Sequence, residues 1–205
     1  MTTLSLPTLS RTNLPAVEWG LKANSQVFTS PLNGSVQTME LPGARWTARF
    51  SYTDRNEADS ALLQAFAVQL RGQANRLAVY PFHRSRPRGT ISLSGVTVSG
   101  AVAQLANTVT LAGCGANATL KAGDYFAVAG QLVMATADAT ANGSGVMSGV
   151  TFEPPVRAAT GWADAAAVTL DKPTATFILQ DPHFKWTAKP GVFTDFEFDL
   201  VEVFA

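Results

Sequence analysis

Three carboxylates recur at every second residue near the C-terminus: Asp195, Glu197 and Asp199, within Phe193–Phe204. In an extended strand such a step is about 7 Å, a separation at which two carboxyl groups can share acid and base roles in glycoside hydrolysis. Three acids on one strand face also repel one another. Arg45 and Arg49 stand on the outward face of another alternating run and offer matching positive partners. The expectation is that the two rows pair, across the sheet or across a subunit boundary, and set register and orientation. The two histidines, His83 and His183, each sit near a strand end and could meet in the fold. A zinc site would need two further ligands, and no CxxC, HExxH or HxH spacing supplies them. They read as surface or hydrogen-bonded side chains. Asp138, followed by Asn142-Gly143-Ser144-Gly145, lacks the alternating oxygens and distal Glu of a calcium loop and reads as a turn. Cys114 is the single cysteine, so no internal disulfide is available, and Ala112-Gly113-Cys114-Gly115 makes it a small turn residue. GxGxxG, GxxxxGK[ST] and GxSxG are all absent. No catalytic residue, cofactor or metal is expected. The basic run Arg84-Ser85-Arg86-Pro87-Arg88 reads as a solvated connector between domains.

The elements that carry these residues are mostly strands. From Arg45 to Tyr52, Trp46, Ala48, Phe50 and Tyr52 alternate with Arg45, Thr47, Arg49 and Ser51, the period of a strand buried on one side. Before it, residues 1 to about 35 read as an extended arm interrupted by Pro7, Pro15 and Pro31. A turn is expected at Ser30-Pro31-Leu32-Asn33-Gly34. After it, a helix is expected from about Asn56 to Arg71, capped by Thr53 or Asp54 with Glu57 as partner and stopped at Gly72. Its predicted apolar stripe is Ala58, Ala61, Leu62, Ala65, Phe66 and Gln69, centred on Leu62, Ala65 and Phe66. A strand follows over Arg76–Phe82.

From Gly89 to about Pro155 the chain turns to Ala, Gly, Thr, Ser and Val. Short strands are expected there at about 91–98, 107–112, 124–129, 131–138 and 145–152, with a hairpin turn at Ala129-Gly130. Aromatics return at Trp162, Phe177, Phe184 and Trp186, with strands over Thr174–Gln180 and Phe193–Phe204. The fold class expected is mainly β: an interrupted β-sandwich or split-barrel domain with one packed helix, plus a small inserted β-barrel or sandwich. Its parts are 1–86, the insertion 87–159, and 160–205.

With 205 residues, 46% hydrophobic and only 15% charged, the chain can bury a real core and presents a surface poor in charge, as suits lasting contact with other subunits. Net charge is zero, which removes any global electrostatic case for nucleic acid or anionic membrane. The N-terminus lacks the basic segment and unbroken apolar core of a signal peptide. No run approaches the length needed to cross a bilayer.

Four features in order carry a family resemblance: the Trp19 lead, Ser25-Gln26-x-Phe28-x-Ser30-Pro31-Leu32-x-Gly34, Pro42-Gly43-x-Arg45-Trp46, and the helix end Leu70-Arg71-Gly72. This layout resembles the distal tail protein of long-tailed bacteriophages, over roughly the first 85 residues and more loosely the last 45. The resemblance implies a ring domain that self-associates as a hexamer, joining tail tube and baseplate hub proteins, in a virion tail assembled in the host cytoplasm. It also implies a variable outer module that contacts receptor-binding proteins or sugars; the scarcity of aromatics in the insertion favours an attachment or spacer role over glycan binding. Membrane and sequence-specific nucleic acid are not expected partners. Subunit-contact candidates are Trp19, Phe28, Arg45, Arg49, Asp195 and Glu197. Rival expectations are a carbohydrate-binding β module, another tail-tube or tail-completion protein, and a glycosidase using Asp195 and Glu197.

Overall fold

The computed structural model describes residues 2–7, 9, 15–191 and 193–204. Part of the expected arm (1, 8, 10–14) lies outside them. The described chain is mainly β, with one α-helix and a nearly closed barrel-like sheet. In chain order the elements are β1 (Thr3–Ser5), β2 (Ala16–Lys22), β3 (Ser25–Thr29), β4 (Val36–Glu40), β5 (Arg45–Arg55), α1 (Glu57–Leu70) and β6 (Arg76–Val79). There follow β7 (Thr97–Val98), β8 (Thr108–Ala112), β9 (Thr119–Leu120), β10 (Tyr125–Val128), β11 (Gln131–Ala135), β12 (Ala139–Thr140) and β13 (Met147–Glu153). The last are β14 (Val168–Thr169), β15 (Ala175–Leu179), β16 (Trp186–Lys189) and β17 (Phe193–Glu202). No helix among the described residues is long and apolar enough to cross a membrane.

The chain divides into two compact units. The first takes residues 1–20, 46–82 and 174–205; the second takes 21–45 and 83–173.

The first unit is a seven-stranded sheet in the order β1-β6-β15-β17-β5-β2, with β16 also paired to β17. The alternation in β5 does what its period demands: Trp46, Ala48, Phe50 and Tyr52 are buried while Arg45 is exposed. In β17, Phe196, Phe198 and Leu200 are buried in the same way. Opposite Thr194 and Phe196 the β5 strand carries an extra residue, a bulge that reverses its phase. Asp54, at φ 52, therefore turns outward and Arg55 is buried.

Helix α1 packs over β17, and the Phe66 ring lies 6.1 Å from that of Phe198. Asn56 is its cap, accepting from Asp59 N–H at 2.8 Å, in place of the expected Thr53 or Asp54. The stripe is also corrected. The buried apolar residues are Leu63, Phe66, Ala67 and Leu70, while Leu62 and Ala65 face out. Leu63-Phe66-Ala67-Leu70 is an i, i+3, i+4, i+7 set with a bulky residue at both ends, which buries more apolar surface than the alanine-rich stripe.

The arm is more regular than its prolines suggested. β1 runs parallel to β6, β2 forms the sheet edge beside β5, and β3 and β4 make a hairpin of five residue pairs. The turn at residues 30–34 forms as expected, with Gly34 N–H bonded to Ser30 O at 3.0 Å and Gly34 at φ 68.

In the second unit the six-stranded sheet runs β14-β10-β11-β13-β8-β7. A bridge from Thr97 to Ala167 joins its two ends, and Val98 N–H to Ala166 O (2.9 Å) and Val168 N–H to Val96 O (3.0 Å) continue the join. Closing a sheet in this way removes its open edges. The interior is aliphatic apart from Phe126, Phe152 and Trp162, with Phe152 and Trp162 stacked at 5.0 Å. Trp162, Val168 and Leu170 thus fill this core, although the return of aromatics in the sequence predicts that the C-terminal segment begins at 160. Gly161 crosses so near the neighbouring chain that a Cβ there would stand 2.0 Å from Val102 O. The Ala129-Gly130 turn takes positive φ at both residues and joins β10 to β11 as expected. Several strands are shorter than predicted: β6 stops at Val79 and β7 is two residues long.

Candidate functional site

The carboxylate row and the arginine row meet on the outward face of the first unit. Arg49 donates from Nε to Glu197 Oε1 at 2.7 Å and approaches Asp199 Oδ1 at 3.5 Å. Asp195 is held by a residue the sequence reading did not single out: Lys189 Nζ lies 2.7 Å from Asp195 Oδ2 and 2.9 Å from Asp54 Oδ1. Asp54 N–H also donates to Asp195 Oδ1 at 2.9 Å. These bonds, the Lys189 one first, hold the Asp195 carboxyl below the usual carboxylate range. Hydrogen bonding to Glu197, and then the Asp199 charge, raise Arg49 further above its ordinary value. A glycosidase acid needs the opposite, a carboxyl raised toward neutrality. Arg45 stands at the exposed start of β5. The signal that would have found Lys189 is Lys189-Pro190-Gly191, a turn sequence that pairs β16 with β17 in the register Thr187 to Asp195.

The remaining candidates resolve into structural roles. Trp19, half-buried, packs on Trp46 (6.2 Å) and Phe177 (5.6 Å) inside the first unit. His83 lies edge-on to Tyr125, and burial lowers its pKa. The His183 N–H bonds to Asp181 Oδ1. Among the described residues no three His, Cys, Asp or Glu side chains could hold a metal ion. Asp138 is taken up by Lys121 Nζ and Ala122 N–H, both at 2.8 Å. Cys114, in the bend after β8, packs into the barrel core, and burial pushes its thiol up.

The basic run is not a free solvated patch. The Arg84 guanidinium bonds Gly123 O, and Arg86 bonds both oxygens of Asp171 at 2.8 and 3.2 Å. Arg88 bonds Ala122 O and Asp124. Asp124 is fully buried and also accepts from Arg88 N–H and Lys121 N–H. Each arginine is spent on anchoring a loop of the second unit.

Two concavities stand out. In the second unit, Glu40, Asn107, Glu153 and Arg157 line a cleft of about 290 Å³ with several apolar neighbours. Burial, and secondarily the Glu40 charge, raise the Glu153 carboxyl there, but among the described residues no Ser, Cys, His or Lys lines the cleft to complete a nucleophile–base pair. In the first unit, an open groove of about 650 Å³ lies between the outward face of α1 and Trp186.

The most unusual surface is the β3–β4 hairpin. All ten of its strand residues are exposed. Phe28 (56% exposed) and Met39 share one face with Gln26 and Gln37, while Val27 (61%) and Val36 share the other. Leu32 at the tip is 96% exposed. Of the six candidates, only Phe28 lies on this element. No family model matches the chain, and no curated protein matches it.

Proposed function

We propose that this chain is a structural virion protein: a ring-forming distal tail or baseplate component that joins the tail tube to the host-recognition apparatus. The β3–β4 hairpin carries this reading. A two-stranded hairpin is marginal by itself in water, and one with Phe28, Met39, Val27 and Val36 spread over two wet faces needs a partner surface to cover it. The motifs Ser25–Gly34 and Pro42–Trp46 that resemble the phage family fall on and beside this hairpin. The charged cluster, with its carboxylates already bonded to Arg49 and Lys189, favours a non-catalytic role. In this reading the seven-stranded sheet with α1 is the ring domain, of sandwich or split-barrel type, and the six-stranded barrel is an outward attachment or spacer module. Its partners are further copies of itself, the tail tube, baseplate hub proteins and receptor-binding proteins.

The test is the mass of the purified chain by sedimentation and light scattering over a wide concentration range, with negative-stain imaging. A closed oligomer, reduced to monomer of unchanged Tm by the combined substitutions Phe28→Ser and Leu32→Ser, is the expected result. A strict monomer whose Tm rises with a soluble glycan would replace the reading with a carbohydrate-binding module.

A further inference from the structure

The hairpin has a counterpart on the same chain. The outward face of α1 leaves Val68 68% exposed, and Trp186 is 45% exposed. Ala61, Ala65 and Val68 line the 650 Å³ groove, and Arg71, at one end, is the single charged residue lining it among the described residues. The hairpin is equally neutral: from Ser25 to Glu40 its only charged residue is Glu40, at the end remote from the tip. Glu40 stands close enough to Glu153 to oppose that carboxyl's ionisation, so an added cation there is favourable. The dimensions also agree. A strand of five residues is about 17 Å long, and the helical rise from Ala61 to Arg71 is about 15 Å.

We infer that the β3–β4 hairpin of one copy lies along the α1–Trp186 groove of the next, with Leu32 toward Ala61 and Glu40 toward Arg71. This rests on the ring reading above and names the contact that builds it. The giving and receiving surfaces differ, so the interface is heterologous: every copy donates one hairpin and accepts one, and the series closes when the rotation per copy divides a full turn. Val27 and Val36, on the hairpin face that also carries Glu40, meet the small residues Ala61 and Ala65.

The experiment uses two separately purified full-length variants, Leu32→Cys carrying a size tag and Ala61→Cys without one, mixed under mild oxidation. Cys114 is fully buried and stays silent in the native state. The control pairs Leu32→Cys with Ser51→Cys, on the outward sheet face. The mixed disulfide should form about ten-fold above the control, because bridging needs Cα atoms within about 7 Å. In parallel, Glu40→Arg and Arg71→Glu should each weaken association about two- to five-fold, and the double variant should recover most of it. Oligomers on sedimentation with equal cross-linking in both mixtures would overturn the hairpin contact and leave the ring intact. Monomers at every concentration, with no cross-link, would overturn both.

Discussion

Arg49 lies directly opposite Asp199 in the β5–β17 ladder, yet it gives its closer bond to Glu197 on the diagonal: Nε is 2.7 Å from Glu197 Oε1 and 3.5 Å from Asp199 Oδ1. One guanidinium thus bridges two carboxylates of the adjacent strand. All three side chains are roughly half in water, where such pairs are weak and screened by salt. Arg49→Ala should shift Tm only slightly, and less at high salt than at low. Thermal melts at two ionic strengths test this; a loss as large as that of a core truncation would show the sheet itself depends on the bridge.

Acid should erode stability modestly through the exposed, bonded carboxylates. Asp195, Asp138 and Asp171 are each held below their ordinary 3.8, chiefly by hydrogen bonds from Lys189, Lys121 and Arg86 respectively. A depressed carboxylate lends stability that is fully present above its unfolded value and is lost as pH falls through its folded value. Tm should therefore hold from neutrality to about pH 5 and decline below about pH 4. Asp195→Asn should flatten that decline, and an unchanged acid limb in the triple Asn variant would contradict the assignment.

Phe66→Ala should cost about 3–5 kcal/mol, since the ring is buried against Phe198. Leu62→Ala, four residues earlier on the wet face, should cost no more than about 0.5 kcal/mol. Denaturant unfolding of the two variants separates the buried stripe from the one expected by sequence.

Asp124→Ala should destabilise the second unit more than any surface charge does. Removing the carboxylate takes the acceptor from the part-buried N–H groups of Lys121 and Arg88, at no more than about 1–3 kcal/mol for each; the Arg88 guanidinium, half exposed, regains water. Hydrogen exchange at Lys121 and Arg88 that matches wild type would refute this role.

Elements with a strict period were legible in the sequence. β5 and β17 alternate over long runs, and Ala129-Gly130 carries the residue types of a tight hairpin turn. The pairing of Arg49 with the acid row followed from those two alternations. The bulge at Asp54 was not legible, because period two continues to the end of β5 unless the partner strand is known, and Arg55 was missed for that reason. α1 shows two overlapping helical stripes one residue apart, and only packing on Phe198 chooses between them. The arginine run resembled a linker because its acceptors, Gly123, Asp124 and Asp171, lie far along the chain. Trp162 looked like a return to the aromatic-rich segment, although barrel closure claims it.

The second unit's barrel is inserted between two neighbouring antiparallel strands, β6 and β15, which pair Val79 with Ala175. Its own two ends are laced together, Lys172 N–H to Ser85 O at 2.7 Å and Arg86 to Asp171. The chain therefore leaves and rejoins the host sheet through one narrow doorway. Because Val79 and Ala175 already stand side by side, the geometry of the host strands asks no more of the inserted chain than that it return to where it left.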